Sequence, residues 1–197
     1  MSLNILQIDC SPRGDESVSR KLTAQIVTQL KSKDSGATVT HKDLSQGVPF
    51  VDINILTGYW TPPAEHSEEV KAAVAHSDNA IKEIVDADAL VIAAPMWNFN
   101  IPATLKAWVD LIVRSGVTFK QSEKGYEPLL PKGKKAYLVV TTGGVPVGSD
   151  FDMTSKYMTS VLEFIGITEV ILVDAGMLML EQGKENLAKA EKQIANL

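Results

Sequence analysis

Short runs of β-branched residues alternate along this chain with longer segments whose apolar residues recur at helical spacing, and that alternation restricts the fold to βαβ units around a parallel sheet. The first run, Ile5-Leu6-Gln7-Ile8, ends at Asp9. Leu22, Ile26, Val27 and Leu30 then predict a helix over 17–33, closed by Gly36. Further strands are expected at 37–43, 89–94, 135–141 and 169–174. Helices are expected at 72–85, at 102–114, around Tyr157, Val161 and Leu162, and at 186–197. Five strands joined by crossover helices predict a doubly wound α/β fold, with helices on both faces of a parallel sheet ordered 2-1-3-4-5. At 197 residues, 45% of them hydrophobic, the chain can build one well-packed domain over 1–197, and no repeat or linker divides it.

The charge balance narrows the partners. With 24 acidic and 19 basic residues the net charge is −5, which offers no basic face for nucleic acid or an anionic membrane. No apolar run approaches the ~20 residues that span a bilayer, and Met1-Ser2-Leu3-Asn4 lacks a basic n-region, so a cytoplasmic protein is expected. The single cysteine, Cys10, excludes an internal disulfide and a cysteine-based zinc cluster. His41, His66 and His76 are scattered, so no metal site is expected.

In a doubly wound sheet ligands bind beyond the carboxyl ends of the strands. Three loops there have suitable chemistry. After the first strand, Ser11, Gly14, Ser17, Val18 and Ser19 bring hydroxyls and free backbone N–H groups to a helix N-terminus, as a phosphate requires, with Arg13 and Arg20 as candidate charges. An ordinary serine N-cap explains the same residues, and Asp15 and Glu16 would repel an anion unless they point outward. After the third strand, Pro95-Met96-Trp97-Asn98-Phe99 and Pro102 make a rigid aromatic loop suited to a flat ligand. After the fourth, Thr141-Thr142-Gly143-Gly144 lets the backbone approach a ligand and present N–H donors, although a plain strand-ending turn reads the same way. A phosphate at one end and a flat ring at the other describe FMN.

Other phosphate chemistries fail on the same residues. A cysteine-dependent phosphatase needs an arginine where Glu16 stands, six positions after Cys10. Only Gly14 remains of a Gly-x-Gly-x-x-Gly pattern, and Gly143 to Gly148 is followed by Ser149 rather than by the Lys of a Walker loop. A receiver-type phosphoacceptor would put Asp where Ala93, Ala94 and Pro95 end the third strand. Two long connections, 45–69 and 115–134, carry aromatics beside prolines, among them Tyr59, Trp60, Phe119 and Tyr126. Connections of that length carry function or are self-packed surface loops.

At these positions the chain resembles, nearly end to end, the FMN-dependent NADH azoreductases, also described as NADH:quinone oxidoreductases and once as acyl-carrier-protein phosphodiesterases. The resemblance rests on Ser11 with Ser17-Val18-Ser19, on Pro95 to Phe99 running into Leu105-Lys106-Ala107-Trp108, on 114–119, on Gly143-Gly144 and on Phe164-Ile165-Gly166-Ile167. It implies a flavodoxin-like fold in which Ser11, Ser17, Val18 and Ser19 hold the FMN phosphate. Pro95, Met96, Trp97, Asn98 and Phe99 would hold the isoalloxazine, and Thr141, Thr142, Gly143 and Gly144 would contact its far edge. It implies NADH as donor, quinones and aromatic azo compounds as acceptors, and ping-pong kinetics with no catalytic side chain, since the flavin carries the chemistry. It implies further a homodimer in which aromatics such as Tyr59, Trp60, Phe119 and Tyr126 cover the substrate pocket. The helix after Pro102, apolar on more than one side, fits that assembly, and equally a helix buried within one chain. Two positions depart from the family pattern. Trp97 stands where tyrosine is more usual, and Thr141-Thr142 replaces a common Ser-Arg, which removes a charge near the flavin and leaves the substrate range and the NADH-over-NADPH preference open. A flavodoxin-type electron carrier, or an NADPH-dependent quinone or chromate reductase of the same fold, are the alternatives; a net charge of only −5, with Arg13, Arg20, Lys106 and Arg114 expected near the site, speaks against the carrier, which is typically strongly acidic around its flavin.

Overall fold

The structure, a computed structural model, describes residues 2–123 and 125–197. In chain order the elements are β1 (Asn4–Asp9), α1 (Val18–Lys33), β2 (Thr38–Asp43), α2 (Ile53–Trp60), α3 (Glu68–Asp86), β3 (Ala89–Pro95), α4 (Ala103–Ile112), β4 (Phe119–Ser122), β5 (Gly125–Pro128), β6 (Lys135–Thr141), α5 (Met153–Phe164), β7 (Glu169–Ala175) and α6 (Gly183–Ala195). Five of the strands form one parallel sheet ordered β2-β1-β3-β6-β7, the expected 2-1-3-4-5. The central strand β3 is buried at every position, because helices cover both faces of a doubly wound sheet.

The two-residue period of the strands sorts their side chains between two cores. Leu6, Ile8, Leu90, Ile92, Leu138 and Val140 meet α3, α4 and α5 on one face. Ile5, Val91, Tyr137, Val139 and Val173 meet α1 and α6 on the other. Register carries the three ligand-friendly loops to one edge: Ile8 pairs with Ile92, and Pro95 with Thr141, so β1, β3 and β6 end side by side.

The two long connections are more ordered than their sequence signals predicted. The first contains α2, started by the Asp52 carboxylate, which accepts the Ile55 N–H at 2.9 Å. Gly58 lets this short helix press against α3, since a Cβ there would collide with the Val74 side chain. The second contains the β4–β5 hairpin, in which Phe119 faces Pro128. Helix α1 ends at Lys33 as expected, but Asp34 rather than Gly36 closes it, its carboxylate taking the Leu3 and Gly36 N–H groups. The two-sided apolar character of α4 is used within the chain: Leu105, Trp108 and Ile112 enter the main core, while Ala107 and Leu111 are buried as well. The Leu111 carbonyl accepts the Ser77 hydroxyl of α3 at 2.6 Å. The buried-helix explanation therefore accounts for α4 without a second subunit.

Candidate cofactor site

Beyond β1 the chain turns at Cys10 and Ser11, and the Cys10 thiol donates to the Ala93 carbonyl at 3.2 Å, which binds this loop to the central strand. Burial first, and then the charge of Asp9, push that thiol up to about 12, so it stays protonated and is no nucleophile. Ser17 caps α1, its hydroxyl accepting the Arg20 N–H at 3.4 Å. The hydroxyls of Ser17 and Ser19 lie 3.1 Å apart. Ser11, Ser17 and Ser19 are each no more than 3% exposed. Among the described residues no group accepts the Val18 or Ser19 backbone N–H, so the positive end of a 16-residue helix opens onto the buried hydroxyls. Asp15 and Glu16 lie outward in a single 3-10 turn and leave the cradle clear.

The charges that sequence reasoning assigned to this region need correction. Arg20 braces the loop instead of facing it: its Nε donates to the Ser11 carbonyl at 2.8 Å, and its guanidinium pairs with Asp43 at 2.6 Å and the Ser45 hydroxyl at 2.9 Å. Burial alone would push the Asp43 carboxyl up, but Arg20 and the Ser45 hydroxyl and N–H outweigh it and hold the group down at about 2. Lys106 pairs with Asp110, and Arg114 pairs with Asp78 at 2.5 Å. Arg13 alone among these four cations lines the cleft.

At the other end, Met96 N–H donates to the Thr141 carbonyl at 2.8 Å, continuing the β3–β6 ladder into the loops. Trp97 and Asn100 then exchange backbone hydrogen bonds of 2.7 and 3.1 Å across a two-residue turn. Its central residues, Asn98 and Phe99, have φ of 50° and 72°, the pair of positive values that a type I′ turn needs. Holding an asparagine and a bulky phenylalanine there costs on the order of 1–3 kcal/mol each, and it leaves the Asn98 N–H without a partner among the described residues. Trp97, 48% exposed, stands at the mouth, and the Phe99 ring lies 6.0 Å from that of Phe151.

One cleft of about 190 Å³ collects these parts. Ser11, Ser17, Val18 and Ser19 line one end, and Pro95, Met96, Trp97, Thr141, Thr142 and Gly143 line the remainder. Asn98, Phe99 and Gly144 are not among its lining residues. The space beside Gly144 is open, whereas a Cβ on Gly143 would come within 3.1 Å of the Met179 sulfur. Leu178 and Met179, from the loop after β7, complete the wall and were missed from the sequence. The available signal was positional: β7 neighbours β6, so its carboxyl end opens onto the same edge. Tyr59, Trp60, Phe119 and Tyr126 line no part of this cleft. Tyr59 lies under the Arg114 guanidinium at 4.7 Å, and Phe119 and Tyr126 stack on Phe164 at 4.7 and 5.5 Å. Trp60 and Tyr126 are 76% and 63% exposed.

The residues fit FMN on their own chemistry. Buried hydroxyls and unused helix N–H groups suit a phosphate dianion. The Trp97 ring and the Gly143 backbone suit the face and edge of a flat ring. Comparison with known proteins agrees in fold and chemistry. Residues 3–197 match the family model described as a flavodoxin-like fold. The chain is 46% identical over 191 residues to an FMN-dependent NADH:quinone oxidoreductase of Hahella chejuensis, covering 97% of this chain and 93% of that one. It is 42% identical to its counterpart in Azotobacter vinelandii, covering 98% of both. The crystal structure of an azoreductase from Bacillus anthracis superposes with a TM-score of 0.90 at 27% identity, covering 98% of this chain and 97% of that one.

Proposed function

The chain belongs to the flavodoxin-like family, and within it to the FMN-dependent NADH:quinone oxidoreductases, and from that premise we propose that it uses NADH to reduce quinones and the azo bond of aromatic azo compounds. The observation that carries the reading is the convergence of the loops after β1, β3 and β6 on one cleft, with a buried serine cradle at one end and the Trp97–Asn100 turn at the other. Bound FMN would accept a hydride from NADH and pass two electrons on to the acceptor. The protein's part is binding and orientation. Ser11, Ser17 and Ser19 hydroxyls and the Val18 and Ser19 N–H groups would donate to the phosphate. Met96, Trp97 and the turn after it would hold the ring, and the Asn98 N–H and the Gly143 and Gly144 amides would supply donors to its polar atoms. Donor and acceptor would use the exposed face in turn, which gives ping-pong kinetics.

The assembly belongs to the same proposal. A cleft of about 190 Å³ is below the ~300 Å³ at which small-molecule sites begin, so one chain covers only part of such a ligand. Trp97 at its mouth remains exposed, as do Phe99 and its ring neighbour Phe151, apolar side chains suited to a second copy. In a homodimer, Tyr59, Trp60, Phe119 and Tyr126 of one subunit would cover the ring bound by the other. The proposed location is cytoplasmic; among the described residues no helix is long and apolar enough to cross a membrane.

Colour and kinetics test the reading. The purified protein should be yellow, release FMN on denaturation, lose its flavin absorbance with NADH alone under anaerobic conditions, and give parallel double-reciprocal plots with a soluble quinone. Flavin that bleaches only when a separate reductase is added would identify an electron carrier instead.

A further inference from the structure

The loop after β7 is built more rigidly than a connection to a polar terminal helix requires. Met177 holds a left-handed φ of 57°, and its N–H donates to the Thr142 hydroxyl at 2.9 Å. Leu178 N–H donates to the Thr142 carbonyl and Met179 N–H to the Gly143 carbonyl, both at 2.9 Å. Thr142 is 4% exposed, and its hydroxyl donates to the Val145 carbonyl, so one side chain ties its own loop to the loop after β7. From beneath, Gly183 packs so closely that a Cβ there would strike the Leu178 backbone, and the Asn186 amide donates to the Gly176 carbonyl at 3.0 Å. This frame brings Leu178 and Met179 to the cleft, and of the two Met179 is the exposed one. Met179 is 87% exposed, yet its sulfur lies where it would crowd any Cβ on Gly143. Gly143 has no left-handed backbone, and what a side chain there would meet first is this thioether, which would have to give way by a few tenths of an ångström.

The geometry points to Met179 as the residue that closes the glycine end of the cleft on the bound ring, positioning the ring and setting how large an aromatic acceptor fits beside it. This deepens the proposed function and rests on its assignment of Gly143 to the ring end. A rigid backbone fixes where the thioether starts, and three rotatable bonds let it follow the outline of what lies beneath. An unbranched, polarisable, uncharged side chain suits the flat face of an aromatic ring. The same loop carries Leu180, 47% exposed but no part of the cleft wall, which supplies a matched control.

The test compares Met179→Ala, Met179→Leu and Leu180→Ala, with FMN added to the apoprotein and followed by the quenching of flavin fluorescence. Met179→Ala should raise the FMN Kd roughly two- to tenfold, the worth of one sulfur–aromatic contact. Met179→Leu should recover most of that loss, Leu180→Ala should leave the Kd unchanged, and the thermal midpoint of the apoprotein should not move in any of them. In steady state at saturating FMN, Met179→Ala should lower KM for a bulky azo compound relative to KM for benzoquinone. Unchanged FMN binding and an unchanged ratio of acceptor KM values in Met179→Ala would overturn the inference and leave the proposed function standing. Failure of the unsubstituted protein to bind FMN would overturn the proposed function itself.

Discussion

Two serines two positions apart do separable work. Ser17 caps α1 and faces the cleft, whereas Ser19 only faces the cleft and its neighbour's hydroxyl. Ser17→Ala should therefore cost the apoprotein about 1 kcal/mol of stability through the lost cap, and Ser19→Ala far less. In the double substitution FMN affinity should fall sharply, since each hydroxyl bonded to a charged phosphate contributes roughly 1.5–3 kcal/mol. Fluorescence titration of the apoprotein reads the affinity and thermal unfolding reads the cap; an unchanged FMN Kd would remove both serines from the site. Asp43 makes a pH-dependent contribution whose sign follows from its depressed pKa. A carboxyl held down at about 2 in the folded state stabilises fully above the unfolded value of ~3.9, and that contribution disappears as pH falls through about 2. With the side chain 24% exposed, it is on the order of 1–2 kcal/mol. Urea unfolding between pH 6 and pH 2 should show the native chain losing that much more stability than Asp43→Asn. Equal slopes in the two proteins would deny the Arg20 pair its bracing role.

Between elements, Thr142 is the joint that matters. Thr142→Val keeps its volume but strands the Met177 N–H and the Val145 carbonyl, and should cost about 1–3 kcal/mol in the thermal unfolding of the apoprotein, with Thr142→Ser restoring most of it. Full stability in Thr142→Val would mean that the loop after β7 holds itself. Before the structure this threonine read as a contact to the ring's far edge and as a departure from a Ser-Arg pattern, and its hold on the Met177 N–H was hidden because that partner lies 35 residues on. The elements of the sheet were legible, since continuous or alternating apolar runs report burial directly. Helix α2 was not: eight residues carry barely two turns of period, and the Asp52 cap was its one local signal. The β4–β5 hairpin was hidden for a related reason, as its four-residue strands hold Phe119 and Tyr126 against Phe164 of a helix that follows much later.

At the scale of the whole molecule, exposed Trp97 at the mouth of the cleft, with Trp60 and Tyr126 exposed elsewhere on the chain, predicts association. Light scattering at micromolar concentration should give about twice the 21.3 kDa chain mass, and Trp60→Ala with Tyr126→Ala should weaken activity without unfolding the chain. A fully active monomer would remove the shared site and the role given to these loops. Helix α4 is no support for that assembly, because both of its apolar sides are spent on its own core. The sequence by itself determined the doubly wound order, the serine cradle at the start of α1, the aromatic turn after β3 and the glycines after β6, because each is written in residues adjacent along the chain. Only the tertiary structure decided that Arg20 braces rather than binds, that Thr142 ties its loop to the loop after β7 and that Met179 lies over Gly143. Those are contacts between residues far apart in sequence, and they exist only once the parallel sheet has brought the carboxyl ends of its strands together.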